Sequence, residues 1–158
     1  MPGRDAGRQG AGDTQVERLH KIPACLDGIL LQREVPGGLE ALVGVTTDPT
    51  FGPLVVCGLG GTLVEVLHDV AFRLTPVSDL DAAEMLTTLR ASRLLDGYRV
   101  SPPADRAALV SVILRVSALV ESIPELRELD RNPVKVLPPG QGAIVVDGRM
   151  RIGPLPTS

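Results

Sequence analysis

Apolar and polar residues alternate with a period of two over several short stretches and with a period near 3.6 over two longer ones. Their order predicts an α+β fold. β-like runs cover 29–32, 40–46, 54–57, 63–67 and 70–74, with breaks at Pro36, Gly37 and Gly38 and at Asp48 and Pro49. A first helix is predicted after Ser78 or Asp79, with Ala83, Leu86 and Leu89 at three-residue steps and Gly97 closing the segment. A second follows Pro102 and Pro103 and carries Leu109, Val112, Ile113, Val116, Leu119 and Val120 on one stripe. Strand patterns return at 126–132, 134–137 and 143–147, with Pro138, Pro139 and Gly140 as the turn between the last two. Strands, two helices, then strands describe one mostly antiparallel sheet with two helices packed on one face. Residues 1–27 lack periodicity and are expected as a flexible tail; 28–152 form the domain and 153–158 a short carboxyl-terminal tail.

Composition narrows the function classes. With 158 residues, 44% of them hydrophobic and 22% charged, the chain suits one domain with a continuous core. The 19 acidic residues against 16 basic ones leave no broad cationic surface for nucleic acid, and two Phe and one Tyr offer little for bases to stack on. No apolar run approaches the roughly 18 residues of a membrane span, and the first 20 residues are polar rather than signal-like. A soluble, cytoplasmic protein is expected, with no nucleic-acid or membrane partner. A zinc site built from His20, Cys25, Cys57 and His68 would have irregular spacing.

The strongest chemical candidate is the stretch 128–133. Period two places Glu128, Asp130 and Asn132 on one strand face, and Leu129 and Arg131 on the other. The three side chains span roughly 13–14 Å, too far to hold one ion together, so a neighbour must complete a site. Asp147, at the end of the following strand, can return beside Asn132. Such hard oxygen ligands suit Mg2+, which takes one or two protein carboxylates and fills its shell with water and phosphate. The same pattern also fits solvated residues on an exposed face. Gly58, Leu59, Gly60 and Gly61 form a second candidate, either a phosphate-approaching backbone or a glycine bulge. It lacks the Lys-Ser/Thr of a P-loop. Glu65 and Arg73 each stand between apolar neighbours and are expected to point off the apolar face, toward phosphate or toward solvent.

Several motifs in order carry a resemblance: 32–36 with Gly37, Gly38, Leu39 and Glu40; Val43-Gly44-Val45 through Asp48-Pro49 and Phe51-Gly52-Pro53; Gly58-Leu59-Gly60-Gly61 with Val64-Glu65-Val66; and 69–74. It continues through 94–98, Pro102-Pro103-Ala104-Asp105, 128–133 and Val145-Val146-Asp147. Over residues 28–150 the chain resembles the ATP-grasp region of nucleoside-diphosphate-forming acyl-CoA synthetases, a group related to the succinyl-CoA synthetase β subunit.

The resemblance implies the carboxyl-terminal lobe of an ATP-grasp fold, with ATP or ADP and Mg2+ as cofactors. Enzymes of that family interconvert acyl-CoA, ADP and phosphate with acid, CoA and ATP, and a phosphohistidine carries the phosphoryl group. It further implies Asn132 and Asp147 as magnesium ligands with Asp130 adjoining. Gln32 and Val35 fall in the hinge beside the adenine, with Glu40 after it, and Gly60, Gly61 and Arg73 complete the nucleotide-contacting set. Arg33 stands where the family usually has an acid, and Arg131 where it usually has an aliphatic residue. An amino-terminal ATP-grasp lobe and a CoA-binding subunit or domain are the expected partners, a homo-oligomer being the alternative association. The chain is expected to be inactive alone; the competing reading is a non-catalytic ATP-grasp interaction module.

Cys25 and Cys57 are expected as free thiols, since nothing in the sequence pairs them. Thiol titration of the denatured, unreduced chain should count two; a count of none would sink the expectation.

Overall fold

The computed structural model describes residues 31–60, 69–98 and 101–154. Contacts divide the chain into two units, 1–34 and 35–158. Residues 31–34 of the first have no regular secondary structure, so the described part of the expected strand 29–32 is irregular chain. The tail 1–27, the run 63–67, Gly61, Glu65, His20, His68 and Cys25 lie outside the described residues.

The second unit holds β1 (Leu39–Asp48), β2 (Gly52–Leu59) and β3 (Val70–Leu74), then α1 (Asp79–Thr88), a 3-10 helix (Arg90–Asp96) and α2 (Arg106–Ser122). It closes with β4 (Leu126–Val136), β5 (Ala143–Val145) and β6 (Arg149–Ile152). The strand order is β3-β2-β1-β4-β5, β6 also pairs β4, and every pairing is antiparallel. β1 is therefore the strand on which both halves of the sheet are assembled. Among the described residues no helix is long and apolar enough to cross a membrane.

One sheet face is apolar because alternate residues on each strand are. Ala41, Val43 and Val45 of β1 stand opposite Leu59, Cys57 and Val55 of β2, and all six are buried. α2 covers this face with Leu109, Ile113, Val116 and Val120, and each fully buried aliphatic contributes roughly 1.5–3 kcal/mol. The one buried polar side chain among the described residues, Ser117, is satisfied: its Oγ accepts from the Val77 amide at 2.8 Å. α1 packs through Ala82, Met85 and Leu86, with Leu89 following. Leu86 and Leu89 of the expected stripe are buried, whereas Ala83 is exposed and Ala82 packs inward in its place.

Side chains outside the helices fix where the helices begin and end. Ser78 and Asp81 form a reciprocal capping box at the start of α1. That helix stops at Leu89 rather than continuing toward Gly97, because Leu89 is extended and the Arg90 and Ala91 amides turn to the Asp69 carboxylate, at 3.0 and 2.8 Å. Asp105 caps α2 through the Ala108 amide, and its other oxygen accepts from the amides of Gly140 and Gly142. A single carboxylate thus joins the helix start to the turn between β4 and β5.

β4 runs unbroken where two strands were expected. Its pairing with β1 shifts between Ala41↔Val134 and Val43↔Arg131, so Asn132 and Pro133 together face Leu42. Lower down, β1 and β4 approach closely. A Cβ on Gly44 would lie 2.4 Å from the Leu129 carbonyl oxygen, which leaves glycine as the residue that fits. Cys57 is a free thiol in the core, and burial pushes its pKa up to about 12, so it is inert as a nucleophile at neutral pH.

Two outcomes follow. Gly44→Ala should destabilise the lobe by about 1–3 kcal/mol, the cost of overpacking a well-fitted site, read as a shift in denaturant midpoint. The Asp105 carboxyl is held below its ordinary value near 3.8, first by the Ala108 amide and then by that of Gly142, with partial desolvation opposing and Gly140 adding a further bond. A lowered folded-state pKa gives stability that is present above the unfolded value and lost as pH falls through the folded one. The melting-temperature difference between wild type and Asp105→Asn should therefore be full at pH 7 and shrink below about pH 4.

Candidate functional site

The second face of the sheet carries the chemistry. Residues directly opposite one another in an antiparallel pair share a face, so the register assigns each side chain. Opposite the helices lie Glu40, Leu42, Gly44 and Thr46 of β1, Leu54, Val56 and Gly58 of β2, and Val70, Phe72 and Leu74 of β3. Glu128, Asp130, Asn132 and Lys135 of β4 share that face. No described element covers it, and Phe72 and Leu74 are about half exposed, at 46% and 50%. The face is apolar on its β2–β3 side and charged along β4.

Along that charged side, β5 and β6 continue one register on β4. Val134 pairs with Val145 and Asp130 with Arg149; counting inward from either end sets Asn132 opposite Asp147. The Val146 amide donates to the Pro133 carbonyl at 3.1 Å, which holds the irregular link 146–148 to that spacing. Asp147 is exposed, and its Oδ1 accepts from the Gly148 amide at 2.8 Å. Among the described residues no group of three His, Cys, Asp or Glu side chains could hold a metal. Asp130 and Asn132, alternate residues of β4, and the exposed Asp147 on the neighbouring link are a sparse set of hard oxygen donors. That fits Mg2+ sharing its shell with phosphate and water, and it does not fit a zinc cage.

The other sequence candidates fall in different places. Glu40 lies on the open face, its Oε1 held by Lys135 Nζ at 2.7 Å. Gly60 follows β2 with its amide donating to the Glu40 carbonyl at 2.7 Å, so this N–H serves the sheet rather than pointing outward. Gly61 lies outside the described residues. Val35 is half-buried at the start of the second unit, and Gln32 belongs to the first, on exposed irregular chain.

Arg73 requires a correction. It pairs with the buried Val55, so it shares the helix-bearing face, where its guanidinium reaches Glu84 at 3.5 Å and Asp81 at 4.0 Å. Its apolar neighbours Phe72 and Leu74 face outward instead, so the alternation around it is inverted. Arg131, opposite the buried Val43, likewise leaves the open face.

Three basic residues of this face, Lys135, Arg149 and Arg151, escape sequence reasoning. Lys135 joins it only because the extra residue at Asn132 and Pro133 reverses the phase of the strand beyond. Arg149 joins it through β6, whose alternating Arg149, Met150, Arg151, Ile152 is a strand signal of only four residues. A separate, largely apolar cavity of about 340 Å³ opens beside the sheet, between Gly38 and Leu39 on one side and Leu94, Tyr98 and Pro103 on the other.

Residues 11–152 match the family described as ATP-grasp domain. The chain is 46% identical over 130 residues to acetate–CoA ligase (ADP-forming) I of Archaeoglobus fulgidus, covering 82% of this chain and 19% of that protein. It is 42% identical over 134 residues to the β subunit of acetate–CoA ligase (ADP-forming) II of Pyrococcus furiosus, covering 84% and 57%. Among solved structures it superimposes on the acetyl-coenzyme A synthetase 1 of Candidatus Korarchaeum cryptofilum in complex with coenzyme A and Mg-AMPPCP. That match has a TM-score of 0.70 at 39% identity, and covers 75% of this chain and 55% of that one. The chain thus spans from about a fifth to somewhat more than half of these relatives.

Proposed function

Because this chain belongs to the ATP-grasp domain family, we propose that it is the carboxyl-terminal, nucleotide- and Mg2+-binding lobe of an ADP-forming acyl-CoA synthetase. In this reading it contributes to phosphoryl transfer between ADP or ATP and a phosphohistidine on a partner domain. The observation that carries the proposal is the register of β4, whose pairs Val134↔Val145 and Asp130↔Arg149 bracket Asn132 and Asp147 and so support them as neighbours across the strands. Relatives that act as ADP-forming acetate–CoA ligases, and a solved relative holding coenzyme A and Mg-AMPPCP, support the same assignment.

The chemistry asks for positioning more than for covalent catalysis. Phosphoryl transfer passes through a charge-dispersed transition state, which fixed donors and a divalent cation stabilise. When bound, Mg2+ would neutralise phosphate charge. Asn132 and Asp147 would hold it and Asp130 would set the charge beside it. Glu40, fixed by Lys135, is placed to meet the nucleoside side, with Gln32 and Val35 proposed along the adenine. Gly60 and Gly61 remain proposed as the close-approach segment, through their small size rather than through the Gly60 amide. Arg73 would act through α1 and not by direct contact.

An open face with an apolar half and a charged half calls for a covering partner. The proposed partners are an amino-terminal ATP-grasp lobe and a CoA-binding subunit or domain, and a second copy of this chain would cover the face in their absence. The lobe is taken as 28–152. A cytoplasmic location agrees with the buried free thiol of Cys57.

The purified chain should bind Mg-ADP weakly and form no ATP from acetyl-CoA, ADP and phosphate. Adding a CoA-binding subunit and an amino-terminal ATP-grasp lobe should restore turnover. Asp147→Ala should weaken Mg-ADP binding by about tenfold or more, ~1.4 kcal/mol, with an unchanged circular dichroism spectrum. Turnover by the homogeneous chain alone would overturn the partner requirement. Absence of rescue by any such partner would favour the non-catalytic module.

A further inference from the structure

We propose that Arg149 is a phosphate-binding residue of this lobe, a guanidinium that recognises the diphosphate portion of the nucleotide beside the metal. The proposal rests on the nucleotide site described above and adds a residue and a selectivity to it.

Two cross-strand pairs of β4 and β6, on either side of Leu129↔Met150, have the same chemistry and different states. Glu128 faces Arg151 and Asp130 faces Arg149, each an acid opposite an arginine on the open face. The first pair is closed, with Arg151 Nε 3.1 Å from Glu128 Oε2. No ion pair joins the second, and Arg149 is exposed. A guanidinium is thereby left uncommitted beside the Asn132–Asp147 position, on the same face and two residues along the chain from Asp147.

A free, planar, permanently charged fork next to a hard-cation site suits a ligand that is both metal-binding and polyanionic. A nucleoside diphosphate has that chemistry. Mg2+ neutralises two charges and needs oxygen donors on one side, while arginine donates two parallel hydrogen bonds to non-bridging oxygens on the other. Asp130, opposite Arg149, adds a negative charge beside the two cations. Arg151, already matched by Glu128, offers no such donor and serves as the internal control.

Isothermal titration of the full chain with Mg-ADP and with AMP tests the assignment, using wild type, Arg149→Ala, Arg149→Lys and Arg151→Ala. Arg149→Ala should lose about tenfold or more in Mg-ADP affinity, as expected for a charge-assisted bidentate contact. Arg149→Lys should recover part of that loss, because it restores charge without the fork. AMP affinity should be the same in both variants, since AMP lacks the second phosphate, and Arg151→Ala should match wild type for both ligands. A general loss of structure or of positive charge would move AMP and ADP together, or would appear in Arg151→Ala, and either result overturns the proposal. So does an Arg149→Ala affinity for Mg-ADP within twofold of wild type. Should Arg149→Ala fail to fold by circular dichroism, Arg149→Gln carries the same expectations. Wild type showing no Mg-ADP binding would overturn the nucleotide-site reading itself, an outcome distinct from wild-type binding that ignores Arg149.

Discussion

The lobe depends on how closely β4 lies against β1. At Gly44 the separation leaves no room for a β-carbon, because the Leu129 carbonyl would sit 2.4 Å from it. This approach fixes the register of Glu128, Asp130 and Asn132 relative to the central strand, and therefore decides which face receives the oxygen-bearing side chains. A slip of one residue would turn Asp130 into the core and Leu129 outward, exchanging a buried aliphatic for a buried charge. The apolar packing under α2 and the polar face opposite it are two results of one backbone contact.

The irregularity at Asn132 and Pro133 is the second constraint. Up to Asn132 the open face is populated by every second residue, and beyond it the count restarts, so Lys135 rather than Val134 faces outward. That restart brings Lys135 opposite Glu40. A half-buried ion pair of this kind is held less by its Coulomb energy than by the cost of leaving either group alone. It ties the entry of β1 to the far end of β4, at the end of the sheet where Gly60 also closes onto the Glu40 carbonyl.

How much was legible in the sequence varied with the length of the pattern. The stripe of α2 was readable because its apolar spacing is unbroken, β3 because a short mostly apolar run stands between breaks, and the α+β class followed from element order. The Glu128–Asp130–Asn132 face was readable because it alternates with Leu129. The face of Arg73 was not, since a five-residue strand at a sheet edge exposes Phe72 and Leu74 and gives alternation no true inside. The end of α1 at Leu89 was hidden because its competitor is Asp69, twenty residues earlier in the chain, taking the next two amides. Arg149 escaped because four exposed residues after a glycine do not announce a strand; β6 exists only because β4 supplies a partner.

The Asp105 carboxylate has a consequence for how length variation is tolerated in this lobe. It holds the start of α2 and the amides of Gly140 and Gly142 at once, so the turn from β4 into β5 is clamped from outside the sheet. Asp147 lies five residues beyond that clamp on a path with little slack. At the hairpin tip between β1 and β2, Asp48 accepts from the amides of Thr50 and Phe51, and the tethers to other strands lie on its flanks, at Thr47 and Pro53. Insertions can therefore be absorbed at that tip, whereas one residue added between Pro138 and Gly142 falls in a turn whose amides are already held by Asp105. The turn acts as a ruler, and its gauge is set by a helix cap on the helix-bearing side of the sheet.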